Sequence, residues 1–131
     1  MYGFKIENGK ISLTTRGEGL AGLYALTDCS MVEVAATGTL GGVKVALLCD
    51  EEGLFVLNEC NLTAGDLRAE MTNGAPEYTL VGTCSLVADD TNLRGFTADE
   101  VAKITKALDK GGYPYGNSAF TVGGIEVVMF R

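Results

Sequence analysis

Three times along this chain a strand-like run breaks at an Asn-Gly or Gly-Gly dipeptide and resumes directly after it, a pattern that commits the fold to antiparallel pairing. The breaks fall at Asn8-Gly9, Gly41-Gly42 and Gly123-Gly124. A two-residue connection of the Asn-Gly kind needs positive φ at both central positions, which these two residue types adopt at little steric cost. The runs on either side are Tyr2–Glu7 and 10–14, 31–40 and 43–49, and 118–122 and Ile125–Phe130. Residues 78–88 form a longer, mostly apolar run rich in β-formers, so a central strand is expected there. A charged turn, Asp50-Glu51-Glu52-Gly53, precedes another short apolar run at 54–57.

Helices are few. The clearest spans 97–110, where Thr97 and Glu100 form a capping box and Asp99 and Glu100 sit at the positive end of the helix dipole. Lys106 and Lys110 lie toward its negative end, and Val101, Ile104 and Leu108 supply the buried stripe. Lys103 is placed to pair with Asp99 one turn earlier. Gly111-Gly112 and Pro114 end the helix. A shorter helix is expected after Thr63, with Thr63 as its cap, Asp66 at its third position, and Leu67 and Met71 on one side; Asn73-Gly74 stops it. Residues 15–30 read as loop or short helix, because Gly17, Gly19 and Gly22 weaken the stripe of Leu20, Leu23, Tyr24 and Leu26. The expected fold is α+β, a mostly antiparallel central sheet with a few short helices packed on it. With 131 residues, 47% hydrophobic, one domain over 1–131 can bury its own core. Residues 39–45 echo 121–127, and 62–67 echo 96–101, through duplication or through recurring turn and cap chemistry.

The side chains that usually carry chemistry are sparse. There is no His, which removes the commonest general base and metal ligand. Cys29, Cys49, Cys60 and Cys84 lack C-x-x-C spacing, and Cys49 and Cys84 fall inside apolar runs, where thiols act as small hydrophobes. The acidic clusters Asp50-Glu51-Glu52 and Asp89-Asp90 do not have the spacing of a calcium loop and read as solvated turns. Residues 17–22 match G-x-G-x-x-G, but without a good helix former behind the glycines or an acidic residue some twenty positions on. No catalytic residue, metal site or cofactor is expected, and the chain is read as a binding protein. The formal net charge of −7, with ten scattered Lys and Arg, argues against nucleic acid. No apolar run reaches membrane-spanning length, no export signal opens the chain, and the unpaired cysteines suit a reducing cytoplasm. Tyr113-Pro114-Tyr115-Gly116 is an expected surface loop whose tyrosines suit an interface.

From Phe96 onward the chain resembles profilin. The resemblance rests on Phe96-Thr97-Ala98-Asp99-Glu100-Val101-Ala102-Lys103-Ile104, like the family's capped helix. It continues through Tyr113-Pro114-Tyr115-Gly116 and Phe120-Thr121-Val122-Gly123-Gly124, like the family's Pro-x-Gly loop and Gly-Gly hairpin. It covers about fifty residues and implies a protein partner, actin or an actin-like filament protein. On that resemblance the partner-binding residues are Lys103, Lys106, Tyr113, Tyr115, Glu126 and Arg131. The chain departs from the family in having no Trp, an opening hairpin where profilins have a helix, and Glu126 where the family has a basic residue. Residues 32–50 with the Thr63 helix look like the second half of a profilin placed first, which implies a permuted order of elements and no polyproline binding. The alternative is a self-assembling structural or interaction protein, a homo-oligomer whose edge strands pair between copies.

Overall fold

The computed structural model describes residues 1–7, 9–51, 60–75, 78–110, 115–122 and 125–130, the last two stretches as backbone only. Seven strands and three helices follow one another as β1 (Tyr2–Glu7), β2 (Lys10–Thr15), α1 (Gly19–Thr27), β3 (Val32–Leu40) and β4 (Val43–Asp50), then α2 (Leu62–Thr72), β5 (Cys84–Ala88), α3 (Ala98–Lys110), β6 (Tyr115–Val122) and β7 (Ile125–Phe130). The strands form one sheet in the order β3-β4-β5-β1-β2-β7-β6, and every neighbouring pair is antiparallel. The α+β class read from the sequence is the class observed.

The dipeptide breaks set the registers. Glu7 pairs with Lys10, leaving a two-residue connection, and Gly9 has the positive φ of 72° that such a connection requires. Leu40 pairs with Val43 across Gly41 and Gly42, at φ 59° and 80°. Gly41 has a second reason to lack a side chain, since a Cβ there would lie 2.4 Å from the Lys103 carbonyl oxygen. The β3–β4 turn thus abuts the backbone of α3.

Alternation along the strands sorts the core into two layers. Val45, Leu47 and Cys49 of β4, Cys84, Leu86 and Ala88 of β5, and Phe4 and Ile6 of β1 face α2 and α3. Leu67 and Met71 come down from α2, and Val101, Ile104 and Leu108 from α3. On the opposite face Ala46, Leu48 and Val87 meet Leu23 and Leu26 of α1. Gly3 of β1 admits α1 closely, because a Cβ there would sit 2.8 Å from a Leu26 methyl. The uncertain segment 15–30 is therefore a helix over Gly19–Thr27, held by Leu23 and Leu26 against its glycine content.

Three expected elements are corrected. The second helix is capped by Asn61, whose side-chain oxygen accepts from the Ala64 N–H at 3.0 Å, and Thr63 lies inside the helix. Asn61 wins because its amide also donates to the carbonyls of Ile6 and Gly82, both at 2.8 Å, tying the helix start to two other segments. The echo between the two helix starts consequently fails at the cap. The expected strand over 78–88 is central, as predicted, but its regular part is only Cys84–Ala88. Gly82 turns the chain at φ 70° and gives its carbonyl to Asn61, leaving Val81 a single bridge to Cys60. The first strand of the third hairpin is longer than expected, beginning at Tyr115. The turns at 52–53, 111–114 and 123–124 and the run at 54–57 lie outside the described residues.

Candidate functional site

Helix α3 is anchored at its start by a network of side-chain bonds. The Thr97 hydroxyl accepts from the Glu100 N–H at 3.2 Å, and the Glu100 carboxylate accepts from the Thr97 N–H at 3.0 Å, closing the expected capping box. The box is extended by Arg94, whose guanidinium bonds both Glu100 oxygens at 2.7 and 3.0 Å and also reaches Asp90 at 3.0 Å. Those bonds from Arg94, helped by the Thr97 N–H and opposed by burial, hold the Glu100 carboxyl down to about 2. Phe96, just before the cap, is buried with Val101 in the same core layer, and its ring lies 6.0 Å from that of Phe4.

With Val101, Ile104 and Leu108 turned inward, the helical period leaves Asp99, Lys103, Lys106 and Lys110 along one outer stripe, all exposed. Lys103 pairs with Asp99 at 3.2 Å, as expected, while both side chains stay more than half exposed. Lys106 and Lys110 have no ion-pair partner among the described residues. Two expected partner-binding residues, Lys103 and Lys106, thus share a rigid exposed face. The others do not join them in one described cluster. Tyr115 opens β6 opposite Phe130, within a strand and not in the expected surface loop, because the ribbon's pairing extends past the Gly-Gly hairpin to that point. Glu126 pairs with Thr121 at the other end of the same ribbon. Four residue steps of β7, from Glu126 to Phe130, separate those ends, roughly 13 Å at the usual rise. Tyr113 and Arg131 lie outside the described residues.

A second feature was not singled out by sequence reasoning. A cleft of about 560 Å³ opens between the β2–α1 connection and residues 91–95, and Arg16 is among the residues that line it. Arg16 is 9% exposed, and its guanidinium donates to the carbonyls of Gly17, Gly19, Asn92 and Leu93, with Nε to Leu93 at 3.0 Å. No carboxylate lies within ion-pair distance of it among the described residues. This accounts for the G-x-G-x-x-G match. The loop turns its carbonyls onto a guanidinium, the reverse of a phosphate cradle, which presents N–H groups. Gly22 is required because a Cβ there would overlap the Gly17 carbonyl. The motif is a loop-closing device, legible only once Arg16 is seen to reach across to residues 92 and 93.

Asp90 accepts from the N–H groups of Asn92 and Arg94 and pairs with the Arg94 side chain, fixing the turn that leads to α3. Among the described residues no three of His, Cys, Asp and Glu are grouped to hold a metal ion. A smaller cleft of about 290 Å³ is lined by Glu33, Cys49, Asp50, Arg68 and Leu80. Burial pushes the Cys49 thiol up to about 12, with the Cys84 thiol and Glu33 adding to the effect. Cys84 is likewise pushed up to about 12 by burial, opposed by a hydrogen bond from Asn61. No helix among the described residues is long and apolar enough to cross a membrane.

No family model, no curated protein and no solved structure matches this chain.

Proposed function

We propose that this chain is a protein-binding domain of profilin-like kind, docking the outer face of α3 against an acidic surface of actin or an actin-like filament protein. The observation that carries this reading is the stripe of Lys103, Lys106 and Lys110 on a helix locked at its start by Arg94, Glu100 and Thr97. In a chain of net charge −7 most of the surface repels an acidic partner, so three lysines in one row define where such a partner can approach. A helix already ordered before binding loses little further entropy on docking. Glu126 and Tyr115 would lie at the margins of this face, on the ribbon whose strand β7 packs beside α3. An actin-like partner puts the protein in the cytoplasm.

Titration of fluorescently labelled actin monomers tests the reading. Wild-type protein should bind saturably at low salt and more weakly at moderate salt, and the double variant K103E/K106E should lose about tenfold or more in affinity. No binding at tens of micromolar protein removes the actin assignment. Equal binding by the double variant removes the α3 face. Polyproline should leave the intrinsic tyrosine fluorescence unchanged.

One observation favours a second reading, self-assembly through a sheet edge. Strand β3 is an outer strand of nine residues whose only charge is Glu33, with Val34 47% exposed. An edge so poor in charge is a template for another strand, although the register shift between Val34 and Ala36 blunts it. Sedimentation that shows monomer alone over a wide concentration range rules this reading out.

A further inference from the structure

The register of the two central strands assigns a second property, unrelated to α3. In the β4–β5 pair, Val45 opposes Ala88, Ala46 opposes Val87, Leu47 opposes Leu86 and Leu48 opposes Ser85. Leu48 with Ser85 is the last paired position, and the same register continued by one step sets Cys49 opposite Cys84. Both belong to the strands as bounded, and both side chains face the α2–α3 layer of the core.

Antiparallel pairs alternate between hydrogen-bonded and non-hydrogen-bonded positions, and the side chains are closer in the latter. The ladder's phase is set at its other end, where the Asp89 N–H donates to the Lys44 carbonyl at 3.1 Å, making 44 and 89 a hydrogen-bonded pair. At the next position the Ala88 N–H donates away from the ladder, to Arg94, as a non-hydrogen-bonded position requires. Counting on, 46/87 and 48/85 are hydrogen-bonded, and 45/88, 47/86 and 49/84 are not. Continued to that step, the register gives Cys49 and Cys84 the close kind of pair, with Cα atoms about 4.5 Å apart where the ladder stays regular. That falls within the range a disulfide spans, roughly 4.4–6.8 Å. The Cys84 thiol is also among the groups that raise the Cys49 thiol, which accords with their proximity.

We propose that Cys49 and Cys84 are a cross-strand dithiol that a small disulfide oxidises to an intramolecular bond, locking β4 to β5. Both cysteines are free in the structure. The order of events follows from access. Cys49 lines the smaller cleft, whereas Cys84 is fully buried. The Cys49 thiolate, scarce at neutral pH because burial raises that thiol, attacks one sulfur of the small disulfide, forming a mixed disulfide and releasing one small thiolate, so the step quickens as pH rises. The Cys84 thiolate then attacks the Cys49 sulfur, forming the Cys49–Cys84 bond and releasing the second small thiolate. The two protons lost by the protein thiols finish on the two released thiols, so the protein loses two electrons and the small disulfide gains them. Glu33, Asp50 and Glu51 at the cleft outnumber its one cation, Arg68, and therefore favour a neutral oxidant over an anionic one.

The test incubates the full-length chain with 2-hydroxyethyl disulfide, which is neutral, or oxidised glutathione, which is anionic. Free thiols are then blocked, and the peptides are mapped by mass spectrometry without reduction. A Cys49–Cys84 linked peptide two hydrogens lighter than the reduced pair is expected in native buffer, formed several-fold faster with the neutral reagent and reversed by dithiothreitol. Double replacement C29S/C60S should leave it unchanged, and C84S should accumulate the mixed disulfide at Cys49. The oxidised protein should melt higher by about 5 °C or more, since the bond closes a loop of about 35 residues. Linkages confined to Cys29 and Cys60, or a Cys49–Cys84 bond that forms only in denaturant, would overturn the proposal. These outcomes are read on the wild-type chain and do not depend on how the core variant C84S folds.

Discussion

Asn61 does the work of three residues. It is 8% exposed, its oxygen caps α2, and its amide holds the carbonyls of Ile6 and Gly82. A buried carbonyl that loses its donor costs its desolvation, about 1–3 kcal/mol, and a lost cap costs about 1 kcal/mol. Asn61→Ala should therefore destabilise the fold by about 3 kcal/mol, measured by urea denaturation, with no change in the slope against denaturant. Asn61→Asp separates the two roles, because the carboxylate keeps the cap acceptor but sets an anion against two carbonyls. It should be at least as damaging as Ala near neutral pH and recover partly as the medium is acidified enough to protonate it. A variant N61D that matched wild type at pH 7 would show that the cap alone matters.

At the scale of the element, α3 is held at its start by charge and along its length by apolar burial. Glu100 has its pKa lowered from the usual 4.5 to about 2, chiefly by Arg94. A carboxyl depressed in the folded state contributes stability that is fully present above its unfolded value near 4.5 and is lost as pH falls through about 2. Thermal midpoints measured from pH 6 to pH 2 should accordingly fall across that window, and Glu100→Gln should flatten part of the fall. At pH 7 the same substitution should cost about 1 kcal/mol through the weakened capping box. Parallel acid profiles for the two proteins would mean that the Arg94–Glu100 pair adds nothing to folding. The Lys103–Asp99 pair, by contrast, is exposed, so its loss should be near neutral for stability and felt in partner binding.

For the whole molecule, the two core layers are unequal. The layer under α2 and α3 draws on five strands and two helices and includes Phe4, Leu47, Leu86, Phe96 and Ile104, all essentially inaccessible to water. The layer under α1 is a small cluster around Leu23, Leu26 and Leu48. Helix α1 also has no side-chain cap and starts at a glycine. Hydrogen exchange under native conditions should find the slowest amides in β4, β5 and β1, with α1 exchanging at least about tenfold faster than α3. Exchange of α1 and α3 as one unit would show that the two layers open together. Residue by residue, what the sequence made legible was local. Asn8-Gly9 and Gly41-Gly42 announced hairpins, Thr97 with Glu100 announced a capped helix, and Leu67 with Met71 announced an inner face, because turns, caps and helical stripes depend on neighbours within a few residues in the chain. The tertiary structure alone decided that Asn61 caps α2 in place of Thr63, that Arg16 closes the glycine loop against residues 92 and 93, and that Gly19–Thr27 becomes a helix. Each of those outcomes rests on a hydrogen-bond acceptor or an apolar surface brought from a distant part of the chain, and the energy of such a partner is not written in the spacing of the residues that use it.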